Sequence, residues 1–171
     1  MNIDYHALPA ENIDIPDHSF DVVTVCQCFR YFNHELAMPG FLRMLKPEGS
    51  ILVLYMAWLP LEDSIVGTSE KLVLKYSPAW NGAGETVHPI SIPGCYHEMF
   101  ELVDHEEYSL SVRFNRESWN GRMKACRDIG ASLAEEKIAV WEQEHMKLLA
   151  EIAPAEFDVL HDGAIAGLKK E

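Results

Sequence analysis

The residue types that could carry chemistry are scattered along this chain. Cys26 and Cys28 are separated by one residue, which is closer than in a zinc knuckle, and no second Cys or His pair has a matching spacing. His97 is followed by Glu98 but lacks the second histidine of a zinc-protease helix. His88 and His97 are left as candidate general bases, although exposed loop histidines usually have no such role. The residues therefore predict no metal site and assign no catalytic residue.

Glycine and aromatic residues give weak signals. Gly82 and Gly84 form a Gly-x-Gly in a loop, but no strand pattern precedes it, and no Gly-x-Gly-x-Gly occurs in the 171 residues. Some aromatic residues are candidates for the wall of a substrate pocket, and these are Tyr55, Trp58, Trp80 and Trp119. An aromatic residue near a strand end belongs to the core more often than to a substrate clamp.

Strands and helices alternate in the pattern that must position these residues. Strands are predicted at 3–8, 20–26, 50–57, 101–114 and 157–168, and the second and third of these are apolar enough to be covered on both faces. Helices are predicted at 34–45, 61–76, from 115 through 126, and from 132 to 153. This order predicts an α/β fold with right-handed crossovers. Ligands then lie beyond the carboxyl ends of the strands, near 26–28 and 56–58.

Local signals refine these elements. Pro39 predicts that the regular helix begins there, with proline in its first turn. Pro47 and Gly49 predict a turn in which Gly49 adopts a positive φ. Ser132 and Glu135 match a capping box, and Asn115 is a candidate cap for the preceding helix.

Composition and charge exclude several classes of function. The chain is 48% hydrophobic, and its 14 Lys and Arg against 27 Asp and Glu give a net charge of −13. An acidic surface repels phosphate backbones and anionic lipids, so we expect no nucleic-acid partner and no membrane partner. The longest apolar run, 51–61, is far shorter than the roughly 20 residues of a spanning helix. With no signal-peptide pattern and few cysteines, the expected compartment is the cytoplasm.

Residues 9–58 contain four pieces that occur together in order. They are the loop and strand start at 9–23, the strand end at 26–32, the helix end and turn at 41–49, and the strand at 50–57. This pattern, with its AE-x-x-x-x-P-D-x-S-F-D loop, resembles class I S-adenosylmethionine-dependent methyltransferases that act on small molecules. The resemblance implies an α/β, incomplete Rossmann-like fold with a mixed sheet, a C-terminal antiparallel strand and flanking helices.

The resemblance also implies an organisation and a cofactor. Residues 1–171 are expected to form a single domain, the C-terminal two-thirds of a methyltransferase domain. Helical and loop insertions at 58–100 and 115–153 would cover the substrate side. The implied cofactor is S-adenosylmethionine, and the implied partner is a small-molecule methyl acceptor.

Two groups of site residues follow from the resemblance. The residues implied for cofactor binding are Ala10, Glu11, Gln27, Cys28 and Phe29. Pro9 stands where relatives often have an acid, which leaves the next two residues as the candidates beside the adenine. The residues implied on the substrate side are Arg30, Tyr31, Trp58 and Trp119. Arg30 and Tyr31 replace a frequent His-Trp pair, so Arg30 would bind an anionic substrate or pair with a surface acid.

The missing glycine-rich turn leads to three expectations. The chain resembles a methyltransferase domain from its third strand onward, so it should bind S-adenosylmethionine weakly or not at all. The strand at 22–26 would then be an open edge, which we expect to pair with a second copy or with the N-terminal segment. The alternative function is a non-catalytic truncated paralogue that serves as a dimerising or binding module.

Overall fold

A computed structural model describes residues 3–171. It contains four strands, β1 (Phe20–Cys26), β2 (Leu45–Trp58), β3 (Phe100–Asn115) and β4 (Glu156–Lys170). The four α-helices are α1 (His34–Met44), α2 (Ser64–Tyr76), α3 (Arg116–Lys124) and α4 (Glu135–Ile152). Short 3-10 turns lie at Ala10–Asn12, Phe29–Tyr31 and Gly94–Tyr96, and a short π-helical turn lies at Arg127–Ala131.

The strands form one sheet in the order β1-β2-β4-β3. β1 and β2 run parallel, with Cys26 opposite Leu54. β4 runs antiparallel to β3, since Arg113 contacts Asp158 at 2.8 Å near one end, whereas Gly167 lies beside Asp104 near the other. The predicted α/β fold, with a mixed sheet, a C-terminal antiparallel strand and flanking helices, is confirmed.

The chain divides into two compact units, each with its own core. The first unit comprises 1–56, 89–107 and 163–171, and the second comprises 57–88 and 108–162. Buried residues of the first core include Phe41, Leu45 and Tyr96. Those of the second include Trp119, Trp141 and Val159. The expectation that residues 1–171 form a single domain, with insertions at 58–100 and 115–153, stays a prediction.

β1 lies at the edge of the sheet, as predicted, but two other predictions for this region are wrong. Within residues 3–171 it pairs with β2 alone. Val25 is the one buried residue of the strand, so the predicted burial of both faces is wrong. The apolar side chains of Phe20 and Val22 are 39% and 50% exposed. The strand predicted at 3–8 is also wrong, because residues 3–9 are exposed and adopt no regular structure.

The start of α1 differs from the prediction. The helix begins five residues before Pro39, at His34, and includes the proline. The carbonyl of Asn33 accepts hydrogen bonds from the N–H groups of Leu36 and Ala37 at 3.1 and 2.9 Å. The first turn is therefore closed before Pro39, whose missing N–H removes one later bond of the helix.

The turn at 46–49 differs from the prediction in which residue adopts a positive φ. Glu48, not Gly49, adopts the left-handed backbone, with φ of 59°. A Cβ on Gly49 would lie 3.0 Å from both the Leu45 side chain and the Lys46 carbonyl oxygen. Glycine is therefore required here for close packing rather than for its φ. The turn lies inside β2 as an irregularity in its register with β1.

Helix caps give one confirmed and one wrong prediction. Asn115 caps α3 in a reciprocal capping box, in which its Oδ1 accepts from the N–H of Ser118 at 2.8 Å and its own N–H donates to the Ser118 hydroxyl at 3.0 Å. Ser132 does not cap α4. Its hydroxyl donates to the carbonyl of Arg127 at 2.9 Å and closes the π-helical turn, so α4 begins at Glu135 without a side-chain cap.

Candidate functional site

The carboxyl end of β1 is held by a side-chain clasp. Gln27 follows β1 with a left-handed backbone, φ 64°. Its Oε1 accepts from the N–H of Met56 at 2.7 Å, its Nε2 donates to the Met56 carbonyl, and its own N–H donates to the carbonyl of Leu54 at 2.9 Å. The amide predicted to face a cofactor is therefore bonded to the neighbouring strand.

The loop of Ala10 and Glu11 lies against the start of α1. Ala10 opens the 3-10 turn and packs against the first core. Glu11 accepts a hydrogen bond on Oε1 from the N–H of Asn33 at 2.9 Å. This bond is the main cause that lowers the pKa of the Glu11 carboxyl, which keeps it ionised. The loop thus presents an anionic acceptor, fixed in position, on the side of the unit where α1 begins.

Cys28 and Phe29 have structural surroundings. Burial is the main cause that raises the pKa of the Cys28 thiol, with a smaller contribution from Cys26, so neither observation indicates a reactive thiolate. Phe29 is buried, with its ring centroid 4.6 Å from that of His34 and 5.6 Å from that of Tyr96. Phe29 is part of the first core, and Cys28 packs against that core.

Arg30 and Tyr31 form an exposed pair in the first unit. The guanidinium donates to the Tyr31 hydroxyl at 2.9 Å and lies 5.1 Å from the centroid of its ring. It also lies 5.6 Å from the ring of Tyr55. The ring of Tyr31 is 70% exposed. The aromatic contacts hold a positive charge at the surface, as a site for an anionic group would require.

In the second unit the two predicted tryptophans lie together in the core. Their ring centroids are 5.5 Å apart in an edge-to-face arrangement. Trp119 is fully buried and donates from Nε1 to the hydroxyl of Ser69 at 3.1 Å. Trp58 is 8% exposed, and the guanidinium of Arg122 lies 4.6 Å from its ring. Both rings serve packing, and Trp58 alone retains an accessible edge.

Trp58 leads to a buried carboxyl that the sequence did not reveal. Glu70, on α2, is 4% exposed. Its Oε1 accepts from the Trp58 Nε1–H at 2.7 Å, and its Oε2 accepts from the N–H of Gly84 at 2.9 Å. Burial is the main cause that raises the pKa of this carboxyl, although both hydrogen bonds oppose the shift. Glu70 also lines a pocket of about 500 Å³ on the surface of α2.

A second polar group is buried between α2, α3 and α4. The Nδ1 of His145 lies 2.8 Å from the Asn120 Oδ1, and its Nε2 lies 3.1 Å from the Ser69 hydroxyl. The Asn120 amide donates to Glu142 at 3.1 Å, so its oxygen must accept and Nδ1 must carry the proton. Burial lowers the pKa of His145 to about 4, and the ring is therefore neutral near pH 7.

The structure thus separates the predicted residues by role. In the first unit, Glu11 and Arg30 present charge, whereas Gln27 and Phe29 have structural roles. The second unit adds Glu70 and His145, which sequence reasoning missed as site residues. Their helical spacing placed them among apolar residues, and no motif marked either one. The signal that was available is an acid or a histidine on the apolar face of an amphipathic helix.

Comparison with known proteins finds similarity in the N-terminal part of the chain. Residues 1–53 match the family model described as a methyltransferase domain. An uncharacterized methyltransferase-like protein of Schizosaccharomyces pombe is 38% identical over 64 residues, which are 37% of this chain and 24% of that protein. This N-terminal part is thus similar to methyltransferase domains, and the resemblance found in the sequence is confirmed.

A more specific relative has a named role. The ubiquinone/menaquinone biosynthesis C-methyltransferase UbiE of Ectopseudomonas mendocina is 43% identical over 54 residues, which are 31% of this chain and 21% of that enzyme. The matched stretch therefore spans about a quarter or less of these curated relatives.

Structural comparison extends the fold to nearly the whole chain. A solved structure described as "a Putative Type II Methyltransferase" from Anaeromyxobacter dehalogenans superimposes with a TM-score of 0.50 and 14% identity. The match covers 98% of this chain and 71% of that one. At this identity it shows the fold alone, which is Rossmann-like. Within residues 3–171, no helix combines the length and the apolar character needed to cross a membrane.

Proposed function

We propose that this chain takes part in S-adenosylmethionine-dependent methyl transfer to a small molecule. The observation that carries the proposal is the match of residues 1–53 to the methyltransferase domain. Relatives that are 38% and 43% identical over 64 and 54 residues support it. The acceptor of the UbiE enzyme is not transferred to this chain, because the match covers only 21% of that enzyme.

The residues present fit the cofactor in one place. The 3-10 turn of Ala10 and the ionised Glu11 offer a backbone and a carboxylate acceptor that can read the donor edge of an adenosine. Gln27 is bonded to the neighbouring strand and Phe29 is buried, so these two residues would support the site rather than contact the cofactor. S-adenosylmethionine would supply an electrophilic methyl group, and transfer requires mainly alignment and exclusion of water. Because no glycine-rich turn occurs in these 171 residues, this stretch alone should bind the cofactor weakly.

Titration of the 171-residue chain with S-adenosylmethionine, followed by amide NMR shifts, tests this proposal. We expect weak, saturable shifts centred on 10–12 and absent from the second unit. Glu11→Gln should reduce the affinity, and Glu117→Gln, an exposed acid of the second unit, should not. Absence of any shift at millimolar ligand would refute cofactor binding at this loop, and micromolar affinity would refute the weak binding.

The second candidate is a non-catalytic module that dimerises through β1. The observation that favours it is the open edge of the sheet, where Phe20 and Val22 are exposed on a strand with a single neighbour. An open edge can accept a strand from another chain. A homodimer formed by two β1 strands would satisfy the N–H and C=O groups of 22–26 that face away from β2.

Sedimentation velocity measures this candidate directly. We expect the wild-type chain to dimerise and Val22→Lys to shift the equilibrium to monomer, because a charged side chain at the edge opposes strand pairing. Val140→Lys is the matched control, since this valine is 56% exposed on α4. A monomeric wild-type chain, or equal loss of dimer in both variants, would exclude dimerisation through β1.

A further inference from the structure

A pocket on the second unit has no role in the function proposed above. It lies along α2 and the loop at 82–84 and has a volume of about 500 Å³, within the range of small-molecule sites. Its wall includes apolar side chains, those of Pro60, Leu61 and Leu74. Glu70 and Lys71, neighbours in sequence, provide one negative and one positive group to the same pocket.

The negative group is Glu70. Its carboxyl is 4% exposed, and two hydrogen bonds, from Trp58 at 2.7 Å and Gly84 at 2.9 Å, fix both oxygens. Each carboxylate oxygen can accept a further hydrogen bond. Among residues 3–171 no Lys, Arg or His forms an ion pair with Glu70. A buried carboxylate that lacks a counterion is unfavourable, so a cationic ligand would be stabilised here.

The positive group is Lys71, which is exposed at the rim of the pocket. No ion pair or hydrogen bond to its ammonium occurs within the described part of the chain. The lysine would repel a ligand that carries only positive charge. A ligand that fits both groups must therefore carry an ammonium and a carboxylate on one short carbon chain.

We propose that the pocket lined by Glu70 and Lys71 binds a small amino-acid-like zwitterion, with its ammonium on Glu70 and its carboxylate on Lys71. The carbon chain of such a ligand would contact the apolar wall at Leu61 and Leu74. Ammonium and carboxylate groups form charge-assisted hydrogen bonds, which are stronger than neutral ones. Trp58 acts as a positioning group, because it orients the carboxyl without lining the pocket, whereas Gly84 both donates to the carboxyl and lines the pocket.

Calorimetric titration of the full chain, without S-adenosylmethionine, tests the proposal. Three probes are used. 4-Aminobutyrate carries both charges, n-butylammonium carries only the positive charge, and butyrate carries only the negative charge. We expect 4-aminobutyrate to bind most tightly and butyrate least. Because the cofactor is absent from the assay, failure here leaves the proposed methyl transfer untouched, and loss of cofactor binding leaves this proposal untouched.

Variants assign each end of the ligand. Glu70→Gln should weaken 4-aminobutyrate and n-butylammonium by about tenfold, whereas Glu151→Gln, an exposed acid at the end of α4, should change neither. Lys71→Gln should bring the affinity for 4-aminobutyrate down to that for n-butylammonium. Since Glu70→Gln can also disturb the core, Thr68→Phe provides a second variant that fills the pocket from its wall without replacing Glu70.

The outcomes are decisive in both directions. Weaker binding in Thr68→Phe and Glu70→Gln, with unchanged binding in Glu151→Gln, supports the pocket as the site. Tighter binding of butyrate than of n-butylammonium, no binding of any probe, or equal binding by wild type and Thr68→Phe would overturn the proposal.

Discussion

The two units of this chain handle polar groups in opposite ways. In the first unit, polar side chains such as Gln27, Glu11 and Lys46 lie at the surface and bond mainly to nearby backbone or exposed partners. In the second, Glu70 and His145 are buried, His145 is bonded to other side chains, and Glu70 is bonded to one side chain and one backbone N–H. Substitution of an exposed polar residue in the first unit should cost little, because water can replace the lost partner. Substitution of a buried polar residue in the second unit should cost more, because water cannot reach the group that is left. The family signature lies in the first unit.

The largest expected effect comes from comparing one aromatic residue in each unit. Trp119→Ala should lower the free energy of unfolding by about 3–5 kcal/mol, because it removes a fully buried ring. Tyr31→Ala should change it by about 0.5 kcal/mol or less, because 70% of that side chain is already exposed. Urea unfolding of both variants measures the difference. Similar losses in the two would contradict the contrast between the units.

Acid should weaken the second unit through His145. Its folded pKa of about 4 lies below the unfolded value of 6.5, so the unfolded chain takes up the proton first as the pH falls. The contribution of neutral His145 to the free energy of unfolding is about 3 kcal/mol. It is fully present above pH 6.5 and is lost as the pH falls from 6.5 to 4. The raised pKa of Glu70 acts in the opposite direction.

Urea unfolding at a series of pH values checks this dependence. His145→Gln should flatten the fall in stability between pH 6.5 and 4, whatever its own cost at neutral pH. His6→Gln is the matched control, because this histidine is exposed and lies outside both cores. An unchanged slope in His145→Gln would rule out the buried imidazole as the cause.

A smaller effect is expected at Gln27. Gln27→Ala removes two exposed hydrogen bonds to Met56 and should cost about 1 kcal/mol of unfolding free energy. Gln27→Gly should cost less, since glycine relieves the left-handed backbone. Hydrogen exchange of the Met56 amide reports the local change. A larger loss in the glycine variant than in the alanine variant would contradict the effect of the left-handed backbone, and no loss in either variant would contradict the clasp.

The smallest effect should come from the surface pair of the first unit. Lys46 contacts both oxygens of Asp21 at 3.0 and 2.9 Å, but the two side chains are 44% and 82% exposed. Lys46→Gln should therefore change the unfolding free energy by about 0.5 kcal/mol or less, and less still in high salt. Thermal unfolding at two salt concentrations measures this effect. A loss comparable with that of Trp119→Ala would remove the distinction between the units.

The fold was largely predictable, because long periodic segments determine the type of each element. Apolar spacing predicted a helix at 61–76 and a strand at 157–168, and the structure has them at 64–76 and 156–170. The wrong predictions concern features that depend on contacts in the folded chain, which the pattern of apolar residues does not contain. The exposure of β1 depends on how little of its two faces is covered by other elements, and the role of Gly49 depends on the nearby Leu45 and Lys46.

The candidate sites were less predictable than the fold. The resemblance located Glu11 and Arg30, but only contacts could show that Gln27 is bonded to another strand. Glu70 and Lys71 are adjacent in the sequence and read as an ordinary pair on a helix surface. Their importance arises from a distant glycine and a distant tryptophan that bury one of the two. The local signal, an acid on the apolar face of a helix, does not reveal these two partners.

The Gln27 clasp has one more consequence. A side-chain amide carries the same donor and acceptor as a peptide group, so Gln27 substitutes for the residue that would have continued β1 beside Met56. Slipping β1 by one residue along β2 would place Cys26 or Cys28 there, and neither offers an amide. The side chain of Gln27 thus helps to fix the register of the two parallel strands, because its hydrogen bonds to Met56 form in one register and are lost in the others.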